Sequence, residues 1–334
     1  MKSSEKVKWE VQEIFMNILV TGGSGFIGTN LVSDLLEQGH NVSIYDKRKS
    51  ETYPHLCIVA DVRDKEKLAN SMHGINAVYH LAAEHSDDVR PVSLYYDVNV
   101  GGAENIVYAL EKNGVNTLIF TSTVALYGLN PGEPSEESPV RPFNDYGRSK
   151  HKSEIIFNEW AGSDDTKRLV IVRPTVIFGE RNRGNVYNLL NQIASGRFIM
   201  VGNGKNKKSM GYVLNLSQFL TMLLDINPGK YIYNYSDKPD FNMEELVRIV
   251  LNTLDKERRV NFRIPYALGL LSGYIFDLLA KITRRTFPVS SIRIKKFCAD
   301  TVISAEKLKE TGFTAPYSLA DGLSRMISSE FLQN

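Results

Sequence analysis

Residues 21–28 read Thr-Gly-Gly-Ser-Gly-Phe-Ile-Gly, and they separate an apolar run from a segment with helical periodicity. The run at 17–20, Asn-Ile-Leu-Val, is typical of a buried parallel strand, and apolar residues recur at helical spacing between Leu31 and Leu36. A glycine-rich turn from strand to helix lets a pyrophosphate approach the free N–H groups of the helix N-terminus. Because ordinary strand-to-helix turns are also rich in glycine, this motif needs support from the rest of the chain.

The acid Asp46 gives the first support, because it ends the second predicted strand about 20 residues beyond the turn, at the spacing of a ribose-binding carboxylate. A carboxylate there accepts hydrogen bonds from the adenosine 2′-OH and repels a 2′-phosphate, which favours NAD over NADP. The basic neighbours Lys47 and Arg48 weaken this argument slightly, and a solvated acid at a strand end is the alternative.

The first half of the chain alternates strands with helices. The predicted strands lie at 41–45, 56–60, 77–81, 117–122 and 169–172, and the predicted helices at 65–72, 98–112 and 145–160. This order predicts an α/β fold with a Rossmann-like, doubly wound parallel sheet. The small residues Ala82 and Ala83 follow one strand, where open sheets of this kind bind their ligands.

Beyond Phe178 the alternation weakens, which suggests a second structural unit. We therefore expect a flexible N-terminal arm at 1–16 and an NAD-binding Rossmann domain at 17–178. The remainder, 179–334, is expected to form mainly a smaller C-terminal substrate-binding lobe, with some chain returning to the main sheet.

Composition narrows the class of protein. The 334 residues carry a net charge of +2, which gives no reason to expect a nucleic-acid partner. Cys57 and Cys298 form no disulfide or metal motif, so a reducing cytoplasmic compartment is the simpler interpretation and no metal is expected. Residues 1–12 are polar and charged, unlike a signal peptide.

Tyr146 and Lys150 are one helical turn apart, so the phenol and the ammonium lie on one face of the predicted helix. An ammonium and a positive nicotinamide ring both favour the phenolate, so we expect the pKa of Tyr146 to lie far below its usual value of about 10. Such a tyrosine acts as a base. Upstream, a strand-end hydroxyl is expected to bind the oxygen that becomes a carbonyl during hydride transfer. We assign this role to Thr123, with Ser122 as the alternative. The competing interpretation is structural, with such hydroxyls only bonding nearby backbone groups.

The segment 264–280 is strongly apolar, with Asp277 as its one charged residue. Basic residues follow it: Lys281, Arg284, Arg285, Arg293, Lys295 and Lys296. With Pro265 and two glycines it is short for a membrane span. Two interpretations stay open, a buried helical pair or an interfacial patch facing anionic lipid, and the residues alone favour the buried pair.

These motifs together resemble the extended short-chain dehydrogenase/reductase family, and they are most similar to its sugar-nucleotide epimerases and dehydratases. The resemblance covers about 17–325, and it implies that Thr123, Tyr146 and Lys150 are catalytic. It implies an NAD-binding set comprising Gly22, Gly25, Phe26, Ile27, Gly28, Asp46, Asp61, Val62, Leu81, Ala82, Ala83, Asn99, Thr121, Tyr146, Lys150 and Pro174.

Other segments resemble a bacterial branch of this family that acts on an amino sugar linked to undecaprenyl diphosphate. They are 82–85, 87–89, 93–100, 173–190 and 208–210. This resemblance implies interconversion of lipid-linked GlcNAc and GalNAc for O-antigen synthesis, on the cytoplasmic face of the inner membrane. It favours a membrane-facing role for 264–296, and it implies a substrate-binding set comprising Glu84, Thr123, Asn185 and Lys208.

The chain departs from the family pattern at two positions. Glu180 stands where a proline is usual, and Lys208 stands where an arginine usually binds the diphosphate. Lysine supplies a point charge but lacks the bidentate fork of arginine, so Arg181, Arg183 and Asn185 are further candidates for the phosphates.

The expected reaction is epimerisation at C4 of the sugar with NAD kept bound. An epimerase of free UDP-sugars is the nearest rival, and a non-catalytic NAD-binding sensor is a remote one. A 4,6-dehydratase is disfavoured, because Val124 and Ala125 stand where that chemistry usually has an Asp-Glu pair. The helices at 98–112 and 146–160 are expected to form a homodimer interface, as in relatives.

Overall fold

A computed structural model of the chain describes residues 15–86, 89–129, 132–256, 263–283 and 289–332. Predictions for 1–14, for Asp87 and Asp88, and for Arg284 and Arg285 lie outside the described residues. Within the described part, a seven-stranded parallel sheet with helices on both faces confirms the predicted α/β, Rossmann-like fold class.

The element bounds differ from the predicted ones mainly at their ends. The strands are β1 (Asn17–Thr21), β2 (Asn41–Asp46), β3 (Cys57–Val59), β4 (Ala77–His80), β5 (Thr117–Thr121), β6 (Arg168–Pro174), β7 (Val176–Phe178), β8 (Met200–Val201), β9 (Lys207–Tyr212), β10 (Gly229–Tyr235), β11 (Asp237–Asn242) and β12 (Arg263–Ile264). The helices are α1 (Phe26–Glu37), α2 (Lys65–Ser71), α3 (Ser93–Asn113), α4 (Asp145–Ala161), α5 (Asn185–Ala194), α6 (Val213–Met222), α7 (Met243–Thr253), α8 (Tyr266–Thr283), α9 (Ser291–Cys298), α10 (Glu306–Glu310) and α11 (Leu319–Phe331).

The strand order β10-β6-β5-β4-β1-β2-β3 places β1 inside the sheet, with β2 on one side and β4 on the other. Helix α1, which joins β1 to β2, and helix α3, which joins β4 to β5, therefore pack on opposite faces of the sheet. This arrangement opens a crevice outside the carboxyl ends of the strands. The glycine turn follows β1 directly, so it lies at that crevice.

Each face of the sheet has its own apolar core. Leu31 and Leu35 of α1 pack with Leu216 and Phe219 of α6 on one face. On the other face, α2, α3 and α4 cover the sheet through residues that include Phe157. Burial on both faces explains why the strands are continuous apolar runs.

A smaller layer lies beyond β6. Strands β7, β9 and β11 form a three-stranded sheet in the order β11-β9-β7, and α5, α7 and α11 share a separate core with it. Strand β10 returns to the edge of the main sheet, where it pairs with β6 over Gly229–Tyr235, and helix α6 packs against one face of that sheet.

Helix α8 is the exposed part of a helical hairpin with α9. A Cβ at Gly273 would lie 2.7 Å from the backbone of Ser291, so the two helices approach closely at this glycine. Only 11% of the apolar window of α8 is buried, and by length and composition alone it is the one described helix that could cross a membrane. The burial that the residues alone favoured for 264–280 is therefore wrong, because α8 packs through its small residues and leaves its large ones outside.

We predict that Gly28→Ala disrupts the turn. A Cβ at Gly28 would lie 2.3 Å from the carbonyl oxygen of Gly22, so the turn must open, at a cost of about 1–3 kcal/mol. Chemical denaturation and NAD titration measure the loss. Gly101→Ala in α3 is the control, since its Cβ meets nothing closer than 4.0 Å and the substitution should stabilise by up to about 1 kcal/mol. Equal NAD affinity in both variants would contradict this account of the turn.

Candidate active site

A cleft of about 430 Å³ runs along the carboxyl edge of the main sheet, from the end of β2 to the start of α5. It brings together most residues of the predicted site. Those that line it are Gly22, Gly25, Phe26, Ile27, Gly28, Asp46, Asp61, Val62, Leu81, Ala82, Ala83, Thr121, Thr123, Tyr146, Lys150, Pro174 and Asn185.

The glycine turn is shaped to accept a pyrophosphate. Gly22 adopts a φ of 75°, and a Cβ there would lie 2.6 Å from the amide nitrogen of Ala82. Gly25 begins α1 without a side-chain cap, so the first N–H groups of the helix stay available to an anion. The turn therefore offers close backbone approach and a positive helix end at one place.

Asp46 lies beside this turn at the end of β2. One carboxylate oxygen accepts the Ser24 N–H at 3.1 Å, and the other accepts the Arg48 N–H at 2.9 Å. The carboxylate is thus fixed by two backbone donors while it still lines the cleft. This placement fits the ribose hydroxyls of NAD and disfavours a 2′-phosphate.

Two residues of the predicted NAD-binding set, Asp61 and Val62, lie after β3. The Asp61 carboxylate accepts two hydrogen bonds from the Arg63 side chain, at 2.9 and 2.8 Å, and these bonds lower the pKa of Asp61. The Tyr45 hydroxyl donates to the Asp61 carbonyl at 3.1 Å. These bonds hold Asp61 in place at the lining of the cleft.

Thr123, Tyr146 and Lys150 meet at the other end of the cleft. The Asn144 side chain caps α4 by accepting the Gly147 N–H at 2.9 Å, which fixes the turn that carries Tyr146. Thr123 precedes a short 3-10 helix, and its hydroxyl accepts the Ala125 N–H at 3.1 Å. The Thr123 hydroxyl also lowers the pKa of the Tyr146 phenol, so the two hydroxyl groups lie near each other in the cleft.

In the protein alone, burial is the main influence on the protonation of Tyr146 and Lys150. It raises the pKa of Tyr146 to about 12, although the hydrogen bond from Thr123 opposes the shift. It lowers the pKa of Lys150 to about 7, opposed by the charge of Glu154. The low pKa expected for Tyr146 is therefore not a property of the protein alone, because the residues around its hydroxyl favour the neutral phenol.

Lys150 is held above a neutral aromatic floor. Its ammonium lies 4.1 Å from the centre of the Phe120 ring, and the His80 ring stacks on Phe120 at 5.5 Å. Burial, and then the charge of Lys150, lower the pKa of His80 to about 3, and the Thr21 hydroxyl lies 2.7 Å from its Nδ1. His80 is therefore neutral near pH 7 and does not repel the lysine as a cation.

A buried ion pair lies one turn beyond Lys150. Glu154 and Arg173 form two hydrogen bonds, at 3.0 and 2.7 Å, and both side chains are almost fully buried. Arg173 also donates to the Tyr127 hydroxyl at 2.8 Å and to the Glu136 carbonyl at 3.3 Å. The pair thus links the catalytic helix α4, strand β6 and the loop that precedes α4.

Three predicted residues do not bring their side chains to the cleft. The Asn99 amide bonds the Glu84 backbone at 2.8 and 3.0 Å and Ser149 at 2.9 Å. The Glu84 carboxylate pairs with Lys47 at 3.3 Å. The Lys208 ammonium donates to the Lys296 and Ala299 carbonyls at 3.0 and 2.6 Å, where burial lowers its pKa to about 8. Each polar group is occupied within the protein.

The structure separates the three further residues that were predicted as candidates for binding the diphosphate. Asn185 begins α5 and lines the cleft. Arg183 is paired with Glu330 and stacks over Tyr187 at 4.3 Å, whereas Arg181 is exposed and lies at the same loop. Of these three, Asn185 alone faces the cleft directly.

The sequence did not predict several of the residues that line the cleft. His85, Asn182 and Gly184 line the cleft, but each comes from a loop that no periodic pattern identifies. Ser122, which was predicted as the alternative to Thr123, also lines the cleft, and within the described part of the chain its buried hydroxyl has no hydrogen-bond partner. Glu154 could have been found, because it follows Lys150 at helical spacing on the same face.

A dinucleotide cleft at the switch point of a doubly wound sheet, with a Thr, Tyr and Lys group at its far end, defines an extended short-chain dehydrogenase/reductase. Residues 18–235 match the model of the NAD dependent epimerase/dehydratase family. The chain belongs to this family, which confirms the predicted family and its NAD cofactor.

Relatives span nearly the whole chain. An Escherichia coli N-acetyl-alpha-D-glucosaminyl-diphospho-ditrans,octacis-undecaprenol 4-epimerase is 51% identical over 318 residues, covering 95% of this chain and 96% of the relative. The NAD complex of a Thermus thermophilus UDP-glucose 4-epimerase aligns with a TM-score of 0.72 at 23% identity, covering 94% and 98% of the two chains. A Methanobrevibacter ruminantium UDP-N-acetylglucosamine 4-epimerase gives a TM-score of 0.75 at 20% identity, covering 96% and 99%. The two structures share the fold.

We predict that Glu154→Gln destabilises the protein by about 3–5 kcal/mol, because it leaves the buried Arg173 cation without its partner. The variant also removes the charge that opposes the low pKa of Lys150, so an activity limb set by the lysine ammonium should move to lower pH. Denaturation curves and pH–rate profiles measure the two effects.

The control for this prediction is Lys112→Gln, which removes an exposed pair with Glu66 and should change stability by less than about 1 kcal/mol. If the two variants lose the same stability, the buried pair does not have the role described.

Proposed function

We propose that the protein is an NAD-dependent 4-epimerase that interconverts GlcNAc and GalNAc on a polyprenyl diphosphate, through a transient 4-keto sugar. The observation that carries this is the meeting of Thr123, Tyr146 and Lys150 at one end of a dinucleotide cleft. The relative with 51% identity over 95% of the chain supports the lipid-linked amino sugar as the substrate.

In the proposed reaction, Tyr146 accepts the proton of the sugar C4 hydroxyl and later returns it. Thr123, which lines the cleft with Tyr146, holds the C4 oxygen as it changes between hydroxyl and carbonyl. NAD held in the cleft would supply the hydride chemistry at C4. Because burial keeps the phenol of Tyr146 neutral in the protein alone, the positive charge of that cofactor would favour the phenolate.

Lys150 has two parts in this proposal. Its ammonium binds the nicotinamide ribose, and its charge favours the ionised tyrosine. Burial favours loss of the Lys150 proton, and the nearby negative charge of Glu154 opposes this effect. The reaction has no net redox change, so the cleft is expected to keep NAD between turnovers.

We assign cofactor binding to 17–178 and sugar binding mainly to the lobe that begins at 179. Asn185, at the first turn of α5, is the residue of that lobe that we place nearest the sugar diphosphate. An epimerase of free UDP-sugars is the second candidate function, supported by the shared fold with UDP-sugar epimerases.

We predict that purified protein converts GlcNAc-diphospho-undecaprenol to the GalNAc form and that Tyr146→Phe loses at least about a hundredfold in turnover, because the proton acceptor is gone. Separation of the two released sugars measures the conversion. Tyr108→Phe is the control, since its hydroxyl contacts only the exposed Glu66 carboxylate among the bonds described and should leave turnover unchanged.

UDP-GlcNAc is assayed in parallel. Fast turnover of the nucleotide sugar without turnover of the lipid sugar would replace the proposed substrate by the second candidate. Full activity in Tyr146→Phe would refute the proposed base, and NAD binding without turnover of either sugar would support a sensor.

We also propose a peripheral contact between α8 and the cytoplasmic face of an anionic membrane. Large apolar side chains are exposed along one face of α8, with Leu271 at 56% and Ile282 at 69% exposure. The acid Asp277 turns inward and accepts the Ser291 N–H at 3.2 Å, so it does not charge that face. Exposed Lys281 and Lys295 flank it, which suits anionic headgroups.

We predict that the protein binds vesicles rich in phosphatidylglycerol and that Leu271→Glu with Leu278→Glu weakens binding at least about tenfold, because two apolar contacts become charges. Cosedimentation measures it. Val59→Glu, at an exposed position of β3, is the control and should bind as the wild type does. Concentration-dependent self-association that the double variant abolishes, with no vesicle binding, would show instead that a second copy covers α8.

A further inference from the structure

The loop between β7 and α5, residues 179–184, contributes to the lining of the cleft. Its members Asn182 and Gly184 line the cleft, as does Asn185 directly after it. The loop therefore carries the residues that would face the sugar side of a bound dinucleotide.

Two residues of this loop are tied to the C-terminal helix α11. Glu330 accepts the Arg181 backbone N–H at 2.7 Å through one carboxylate oxygen, and it pairs with the Arg183 guanidinium through the other. The Glu330 side chain is only 7% exposed, whereas the Arg183 side chain is 61% exposed, so the pair faces solvent on its arginine side. Both bonds to Glu330 involve a charged group, and such hydrogen bonds are stronger than neutral ones.

The backbone conformation of Arg181 needs such a stabilising contact. Its φ of 67° lies in the left-handed region, which residues other than glycine rarely adopt and which the surroundings must hold. The bond from Glu330 falls on the N–H of this same residue. Asn182 then bonds the Ile177 carbonyl at 3.1 Å and the Gly184 N–H at 2.8 Å, which sets the rest of the loop.

A second tie acts on the preceding residue. Both Glu180 oxygens accept from the Tyr212 hydroxyl at 2.9 Å, and Arg325 of α11 lies 3.5 Å from the same carboxylate. Glu180 is therefore held by groups of β9 and α11, directly before Arg181 with its left-handed backbone.

We propose that Glu330 is a positioning residue for the reaction: by holding Arg181 and Arg183, it fixes the loop 179–184 as the sugar-side wall of the cleft. Helix α11 thus sets the position of Asn182 and Asn185 although it does not line the cleft. The kinetic part of this proposal rests on the proposed function, whereas the structural part does not.

The test compares Glu330→Ala with Arg183→Ala by hydrogen–deuterium exchange of 179–185 and by steady-state kinetics with GlcNAc-diphospho-undecaprenol. Glu330→Ala should speed exchange in the loop and raise KM on the order of tenfold, with a far smaller change in kcat, because an anchoring bond is lost. Arg183→Ala keeps the bond to the Arg181 N–H and should show a smaller effect in both. Glu306→Ala, which removes the exposed pair with Lys309, is the control and should change neither.

Unchanged exchange in Glu330→Ala overturns the proposal, and so does faster exchange spread evenly over the protein, which marks a merely structural role. Faster exchange in the loop with an unchanged KM overturns the positioning role. If the wild type converts no sugar, the proposed function fails, and exchange in 179–185 still decides whether Glu330 holds the loop.

Discussion

The close approach of α1 to the end of β1 is the constraint on which the rest of the structure depends. Gly28 lies so near the Gly22 carbonyl that any side chain would force the turn open. This contact brings the N-terminus of α1 to the end of β1, between the neighbouring strands β2 and β4, where the crevice opens. The cleft, the backbone donors that fix Asp46 and the space for a dinucleotide all follow from it.

The far end of the cleft is organised by buried charge. Lys150 and Arg173 are both buried cations on neighbouring elements, and Glu154 is bonded to one and favours the charged form of the other. Neutral His80 and the Phe120 ring complete the floor without adding charge. The Glu154–Arg173 pair is costly to break, since removal of either residue would leave the other as an unpaired buried charge.

The two layers of the molecule meet through chain that crosses between them. Strand β10 completes the edge of the main sheet and helix α6 packs on one of its faces, although both follow elements of the smaller layer. Helix α11, near the end of the described chain, returns to the loop after β7. Residues far apart in sequence therefore define one cleft, while the α8–α9 hairpin presents its large apolar side chains to the outside.

The sequence by itself determined the sheet, the glycine turn, Asp46 and the Tyr146–Lys150 pair, because strand and helix periodicities are local and one helical turn fixes which side chains share a face. Only the tertiary structure decided the partners of Asn99, Glu84 and Lys208, since each lies close to groups remote in sequence that occupy it. It likewise decided that α8 is exposed, because an apolar run reads the same whether its large side chains face a core or the outside. The anchor at Glu330 has no local signal at all, since a long-range contact between a loop and a distant helix exists only after folding.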